Sequence, residues 1–458
     1  MADAPLIVLA AGGTGGHLFP AEALGVALTK RGLRVRLMTD HRAVRYGGFF
    51  ARDMMDVVPS ETVRGRTPWA LARTAAVLAA GGATALALLL RQRPKAVIGF
   101  GGYPTLPPLI AARLLGIPTV IHDSNAVLGR ANRLLSTRVS AIATSLPGVF
   151  DRDPALAGKA TVTGTPMRPA VVVAAAVPFS LPADGERLRL LVTGGSQGAR
   201  IMSDIVPAAI ERLEPALWRR LGLVQQVREE DMARVRAVYD RLKIDAELAP
   251  FFPDLPARLA ASHLVISRSG AGTVAELAAI GRPSLLVPLP GAIDQDQFAN
   301  AGVLVQAQGA IRIVQAEFTP ERLATELSAL AAEPQRLAAM AAGARNVGRL
   351  DAAERLADLV MKVAGLVPKP LNAFQAETER ALLQLLAGFP SDQIQRDPNL
   401  APKDSFVRIV LGGDLEFYIY EDGAGISGRG LDKRFEIYDY ADLTALRNAF
   451  LEAVRAVI

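Results

Sequence analysis

The chain has 458 residues, half of them hydrophobic and 21% charged, enough to bury more than one sizeable core. Its 51 Lys and Arg against 45 Asp and Glu leave a net charge of +6 with no long basic run, so no nucleic-acid partner is expected, only a weak attraction to anionic surfaces. The absence of cysteine excludes disulfides, thiol catalysis and cysteine-ligated metal, and the four histidines, His17, His41, His122 and His263, do not pair at ligand spacing.

The N-terminus carries Asp3 and Pro5, and its apolar run stops at Gly12, so it does not read as a secretory signal. PLIVLAA reads as a buried strand ending in glycines. AEALGVALTKRG then puts Ala21, Leu24, Gly25 and Leu28 on one helical face, with Pro20 near the first turn and Gly32 after the last. LRVRLMT is a second strand. From Thr74 to Leu90 run 17 uncharged residues, rich in alanine and interrupted by Gly81 and Gly82. As a helix this stretch spans about 25 Å against about 30 Å of hydrocarbon, so a helix packed on a sheet with one end touching lipid is expected, rather than one that crosses. Arg64, Arg66, Trp69 and Arg73 suit a membrane-surface rim; the alternative for them is an ordinary solvated loop.

KAVIGFGG, PTVIHDS and AIATS repeat the buried-strand pattern with helical segments between, the rhythm of a parallel sheet covered on both faces. A second series opens with LRLLVTGGSQGAR, which mirrors the first strand and glycine loop, and continues through AELAPFF, HLVISRSGAG and RPSLLVPLP. Between the two series, PMRPAVVVAAAVPFSLPADGE is proline-bearing and reads as linker. Two tandem doubly wound α/β domains facing across a cleft follow, one over 1–165 and one over 166–365, with the last helix of the second expected to return to the first. From about Leu371 the composition changes: SFVRIVL, LEFYIYE and KRFEIYDY look like strands, LGGD like a hairpin turn, and helices flank them near Ala376–Leu386 and Ala441–Val457. Residues 371–458, with Tyr418, Tyr420, Tyr438 and Tyr440, form a small α+β appendage of unassigned role.

A glycine turn that feeds a helix presents N–H groups and a positive dipole end, and so cradles phosphate. Gly12–Gly16 and Gly194–Gly198 both have this form. The first is neither G-x-G-x-x-G nor a P-loop, and Asp40, the nearest acidic residue after the second strand, is followed by Arg42. A tight turn is the alternative for each loop. In SRSGAGTVAEL, Thr273 and Glu276 are placed in a first helical turn, where a carboxylate can take two ribose hydroxyls or simply cap the helix.

Seven motifs carry a resemblance: GGTGGH, GFGGYP (Gly99–Pro104), IHDSN (Ile121–Asn125), GTPMR (Gly164–Arg168), GGSQGAR (Gly194–Arg200), SRSGAGTVAEL and DQDQFANA. In this order and spacing the chain, over roughly residues 5 to 365, resembles the bacterial cell-wall glycosyltransferases of family 28 that convert lipid I to lipid II. The resemblance implies a GT-B fold, with acceptor held mainly by the first half and UDP-N-acetylglucosamine by the second. It implies donor contacts from Thr14, Gly15, Gly16, Asn125, Arg168, Ser196, Arg268, Ala271, Thr273, Glu276, Gln297 and Asn300, with Glu276 on the ribose and the backbone of Phe252 at uracil. Gly13, Gly101, Gly102 and Tyr103 would face the acceptor pyrophosphate.

His17 is the implied general base, since imidazole titrates near pH 6.5 and a helix N-terminus favours its neutral form; the alternative is a histidine that braces the loop. The resemblance further implies an inverting transfer with no metal cofactor, the DQD of Asp294–Asp296 belonging to the donor motif. The partners it implies are UDP-N-acetylglucosamine, lipid I, an anionic membrane surface at the cytoplasmic face of the inner membrane, and cell-wall synthesis proteins. The chain departs from the family pattern at Asp123 and Ser124, where Glu-Gln is usual, and at Thr165, where Asn is usual. Two rival readings are a related transferase with another lipid acceptor such as a diacylglycerol, and a weakly catalytic scaffold whose appendage binds a partner.

Overall fold

The structure is a computed structural model and describes residues 4–12, 14–42, 48–61, 67–150, 153–183, 185–195, 198–291, 296–366, 373–390, 393–396, 407–420, 423–428, 431–436 and 439–458. Leu6–Ala11 (β1) lies at the middle of a seven-stranded sheet with Arg34–Thr39 (β2), Met55–Val57 (β3), Ala96–Gly99 (β4), Thr119–Asp123 (β5), Ala141–Thr144 (β6) and Ala160–Val162 (β7). All pairings are parallel, in the order β3-β2-β1-β4-β5-β6-β7. Every residue of β1, β4, β5 and β6 is buried. Helices cover both faces, which is why these strands read as unbroken apolar runs rather than alternating ones.

The pleat divides the core into two layers. Ile7 and Leu9 pack under Gly15–Lys30 (α1), whereas Leu6 and Val8 pack with Ala85 and Leu89 of Pro68–Gln92 (α2) and with Leu109 and Ala112 of Leu106–Leu114 (α3). Thus the long apolar stretch is a helix packed on the sheet through one stripe, Thr74, Gly81, Ala85 and Leu89. By length and composition α2 is also long and apolar enough to cross a membrane, and 22% of its most apolar window is buried.

Leu188–Thr193 (β8), Leu221–Gln226 (β9), Ala246–Ala249 (β10), Leu264–Ser267 (β11), Ser284–Leu286 (β12) and Ala310–Arg312 (β13) make a second parallel sheet, in the order β10-β9-β8-β11-β12-β13. The proline-bearing stretch before it is not all linker. Pro169–Ala175 is a helix, and its Val171, Ala174 and Ala175 are buried in the core of this second domain. The helix Ala352–Val363 returns to the first domain, where Leu356, Ala357, Val360 and Met361 join the core beneath α1. Arg31 of α1 pairs with Glu354 and Asp358, each at 2.6 Å.

Ile394–Arg396 (β14), Val407–Leu411 (β15), Leu415–Ile419 (β16), Gly423–Gly428 (β17) and Leu431–Glu436 (β18) form an antiparallel sheet with its own core. Ile409, Phe417 and Ile426 face the helices Ala373–Leu386 and Leu443–Val457 across that core. The hairpin joining β15 and β16 turns at Gly412 and Gly413, whereas Tyr438 lies outside the described residues.

Candidate active site

In an open parallel sheet the crevice forms where the strand order reverses, outside the carboxyl ends of the strands. In the first domain that point lies between β1 and β4, and Gly12 and Thr14 leave the one and Phe100–Tyr103 the other. In the second it lies between β8 and β11, so Gly194–Gly195 and Arg268–Gly270 open there. Both glycine loops of the sequence therefore sit at the switch points of their own sheets.

His17 stands in the first turn of α1, half-buried, with Nδ1 3.0 Å from Thr14 Oγ1. Its Nε2 has no hydrogen-bond partner among the described residues. The ring lies against the loop after β4: a Cβ on Gly101 would come within 3.3 Å of His17 Cδ2, and one on Gly102 within 3.4 Å of Cε1. Both glycines also have positive φ, +90° and +77°, so a side chain there meets strain and the imidazole together. Burial lowers the His17 pKa below 6.5; Arg42 lowers it further, and Asp123 and Asp40 oppose both. The ring is thus neutral at neutral pH. It both braces the loop through one nitrogen and leaves the other for chemistry. Tyr103, half-buried, follows these glycines in the short 3-10 turn Tyr103–Thr105.

Asp40 closes the dinucleotide reading of the first loop. Its buried carboxylate is taken by Arg42, with Nη2 at 2.6 Å and Nε at 3.1 Å from it.

Asp123, at the end of β5, organises the next loop. Oδ1 accepts from the Asn125 N–H at 3.0 Å, and Oδ2 accepts from Gly129 N–H and Asn132 Nδ2, each at 2.9 Å. The shorter Asp in place of Glu is thereby committed to its own loop. Thr165 donates its hydroxyl to Ser145 at 2.8 Å, and His122 Nε2 bonds the Gly164 carbonyl at 3.0 Å, so the segment between the domains is pinned by buried polar groups.

Asn300 reaches across the cleft to the loop after β5. Asn300 Nδ2 donates to Asn125 Oδ1 at 3.1 Å while Asn300 Oδ1 accepts the Ala126 N–H at 2.8 Å. Arg168 Nη2 lies 3.5 Å from Glu276 Oε1. Glu276 was expected in a first helical turn, but the helix is Ala271–Ile280 with Gly270 as its N-cap. Thr273 is in the first turn; Glu276 is in the second, facing Arg168, and does not cap the helix. Burial pushes its carboxyl pKa up and Arg168 holds it down.

Arg268 is buried and spends its guanidinium internally, on the carbonyls of Val287 and Pro288 and on Gln315 Oε1. Gln297 Oε1 accepts from Leu289 N–H, and its carbonyl takes the Ser269 hydroxyl. These residues frame the rim after β11 and β12. Ala271 begins the helix, half-buried, and Phe252 is buried under the Arg258 guanidinium, 4.4 Å from its ring centroid. Among the phosphate loops, Gly15 is buried and Gly16 exposed. Gly13, Ser196 and Asp294 lie outside the described residues.

Sequence reasoning missed Gln226. Its Oε1 accepts from Gly194 N–H at 2.9 Å and its Nε2 donates to the carbonyls of Gly195 and Pro250, which ties the second glycine loop to the segment before Phe252. A polar side chain at the buried carboxyl end of an apolar strand was the available signal.

Residues 7–144 match the glycosyltransferase family 28 N-terminal domain, and residues 189–356 match the family 28 C-terminal domain. A Rhodopseudomonas palustris (strain HaA2) protein named UDP-N-acetylglucosamine–N-acetylmuramyl-(pentapeptide) pyrophosphoryl-undecaprenol N-acetylglucosamine transferase is 78% identical over 367 residues, 80% of this chain and 100% of that one. A Nitrobacter winogradskyi protein of the same name is 77% identical over 80% of this chain and 99% of its own. The crystal structure of Acinetobacter baumannii MurG superposes with a TM-score of 0.63 at 28% identity, covering 78% of this chain and 99% of that one. A Staphylococcus aureus MnaA–UDP structure, 14% identical with a TM-score of 0.58, shares the fold. The chain belongs to glycosyltransferase family 28, and within it to the family of UDP-N-acetylglucosamine–N-acetylmuramyl-(pentapeptide) pyrophosphoryl-undecaprenol N-acetylglucosamine transferases.

Proposed function

We propose that the chain moves N-acetylglucosamine from UDP-N-acetylglucosamine to the 4-hydroxyl of the muramoyl sugar of lipid I, with inversion, giving lipid II. The supporting observation is an imidazole at the first switch point, its pKa lowered by burial, together with a carboxylate and a guanidinium that meet in the second domain. With Nδ1–H donating to Thr14, the His17 Nε2 lone pair takes the proton of the attacking hydroxyl. The hydroxyl oxygen bonds the anomeric carbon from the face opposite UDP, and the bond from that carbon to the diphosphate oxygen breaks. The leaving charge is met by Arg168 and by N–H groups at the start of the helix Ala271–Ile280, where Ala271 and Thr273 stand. Glu276 holds the ribose hydroxyls, and the Phe252 backbone meets uracil.

In the same reading Asn125, Asn300, Gln297, Arg268 and Ser196 complete the donor side with Thr14, Gly15 and Gly16, while Gly13, Gly101, Gly102 and Tyr103 face the acceptor pyrophosphate. No resident metal is required, because positive dipole ends and Arg168 supply the charge.

The acceptor is lipid-linked, so the enzyme must reach a membrane. Trp69, 81% exposed, and Leu71 stand with Arg73 at the start of α2, and Leu90 of α2 and Ile110 and Leu114 of α3 are exposed apolar side chains as well. Arg64 and Arg66 lie outside the described residues. The exposed side chains of α2 and α3 support peripheral docking on an anionic cytoplasmic leaflet. An acceptor screen at fixed UDP-N-acetylglucosamine tests the assignment. Transfer to a lipid I analogue alone is expected, and transfer to a diacylglycerol but not to lipid I would contradict it.

A further inference from the structure

Phe19 lies two residues beyond His17 on α1 and belongs to none of the donor or acceptor contacts above. Its ring folds back over the first turn of the helix. A Cβ on Gly15 would fall 2.9 Å from Phe19 Cε2 and 3.2 Å from Cζ, so the ring occupies the space that any side chain at 15 would need. The Arg168 guanidinium carbon sits 4.0 Å from the Phe19 ring centroid, well within cation–π range. Arg168 in turn reaches Glu276 of the second domain. Gly15, Phe19, Arg168 and Glu276 thus form one continuous stack from the first domain, through the segment between domains, to the second.

Arg168 needs such a support. An arginine side chain gives up much rotamer entropy when it is held, and a long flexible arm binds an anion well only when its head is already placed. Its one side-chain hydrogen bond among the described residues is the 3.5 Å approach to Glu276, too long to fix a guanidinium, and the attraction of Glu22 on α1 is only coulombic. Its buried Nε has no hydrogen-bond partner among the described residues, a cost found where a ligand supplies the acceptor. The aromatic face is therefore what orients this group, and it leaves the N–H edges free to donate.

We infer that Phe19 is a positioning residue for the donor: its ring holds the Arg168 guanidinium over the cleft, ready for the diphosphate, and touches neither substrate. The inference rests on the transferase reading above. It also ties the helix that carries His17 to the donor half, since movement of one shifts the support of the other.

The test is a double-mutant cycle on the full chain. Phe19→Leu keeps apolar volume and removes the π face, Phe19→Tyr keeps the face, and each is made with and without Arg168→Ala. Transfer to a lipid I analogue is followed at varied UDP-N-acetylglucosamine, UDP binding by calorimetry, and folding by thermal melting. F19L is expected to lower kcat/KM for the donor and UDP affinity about five- to thirtyfold, with KM for the acceptor unchanged and F19Y within twofold of wild type. In the R168A background F19L should add less than twofold. Equal effects of F19L in both backgrounds, or equal losses in F19L and F19Y, would overturn the inference. If F19L does not fold, Phe19→Met replaces it with the same expected outcomes. If the wild-type chain transfers nothing to lipid I, the transferase reading fails instead, and the UDP-binding cycle still decides the role of Phe19.

Discussion

Asn300 in the second domain and Asn125 in the first are hydrogen-bonded to each other across the cleft, and Asn300 also holds the Ala126 N–H. Asn300 is 1% exposed, so both amides meet in a setting where an unpaired polar group is costly. The two domains therefore share a buried polar joint beside the proposed donor site. Asn300→Ala removes a donor and an acceptor at once and leaves Asn125 Oδ1 and the Ala126 N–H without their partner. We expect KM for UDP-N-acetylglucosamine to rise about tenfold, with acceptor KM little changed, as read by initial rates at varied donor. An unchanged donor KM would count against a role for this joint.

The pH profile tests His17. Burial holds its pKa below 6.5, so the neutral base persists into mildly acid solution. kcat/KM should be flat near neutrality and fall only below pH 6.5, by about tenfold per unit once His17 protonates. Arg42 contributes to the lowering, so Arg42→Gln should move this acid limb to higher pH. A limb above pH 7 in the wild type, or a downward move in R42Q, contradicts the assignment.

Glu276 is governed by opposite influences: burial raises its carboxyl pKa, and Arg168 lowers it. With the arginine removed, the carboxyl protonates at a higher pH. Arg168→Ala should therefore weaken UDP-N-acetylglucosamine binding more at pH 5.5 than at pH 8, whereas Arg168→Lys should retain much of the pH independence. Calorimetric titrations at the two pH values read this directly; a loss that does not vary with pH would show that Arg168 does not act on Glu276.

Much of the molecule could be read from its residues because buried parallel strands leave continuous apolar runs. Leu6–Ala11, Thr119–Asp123 and Leu264–Ser267 all announced themselves in this way. Strands without that signature did not. Gly423–Gly428 is GAGISG, whose glycines give no side chain to pattern, and Ile394–Arg396 is only three residues long. Pro169–Ala175 was hidden by the prolines around it, although proline at the first helical position is compatible with a helix. At the site, motif spacing located His17, Asn125, Arg168 and Glu276 in sequence, but only the fold shows which of them meet and with what partners. Glu276 in particular lies one turn further along its helix than spacing implied. Gln226 and Phe19 belong to no motif, since their roles arise from contacts with Gly194 and Arg168.

The C-terminal unit has its own core, built from Ile409, Phe417, Ile426, Phe450 and their neighbours. The family models end at residue 356, and the Rhodopseudomonas relative is fully covered by 80% of this chain. Shortening the chain to end at Leu366 should therefore leave kcat/KM for transfer within about twofold and the melting transition of the remaining domains in place. A tenfold loss of transfer would instead make the appendage part of the catalytic unit.

The most direct measurement is transfer of radiolabel from UDP-N-acetylglucosamine to a lipid I analogue by wild type, His17→Ala and Glu276→Ala, each checked for folding by thermal melting. The account predicts labelled lipid II from the wild type and a loss of at least about a hundredfold in kcat for H17A, the usual scale for removing a general base. For E276A it predicts a loss concentrated in donor KM. Full activity in both folded variants would contradict it.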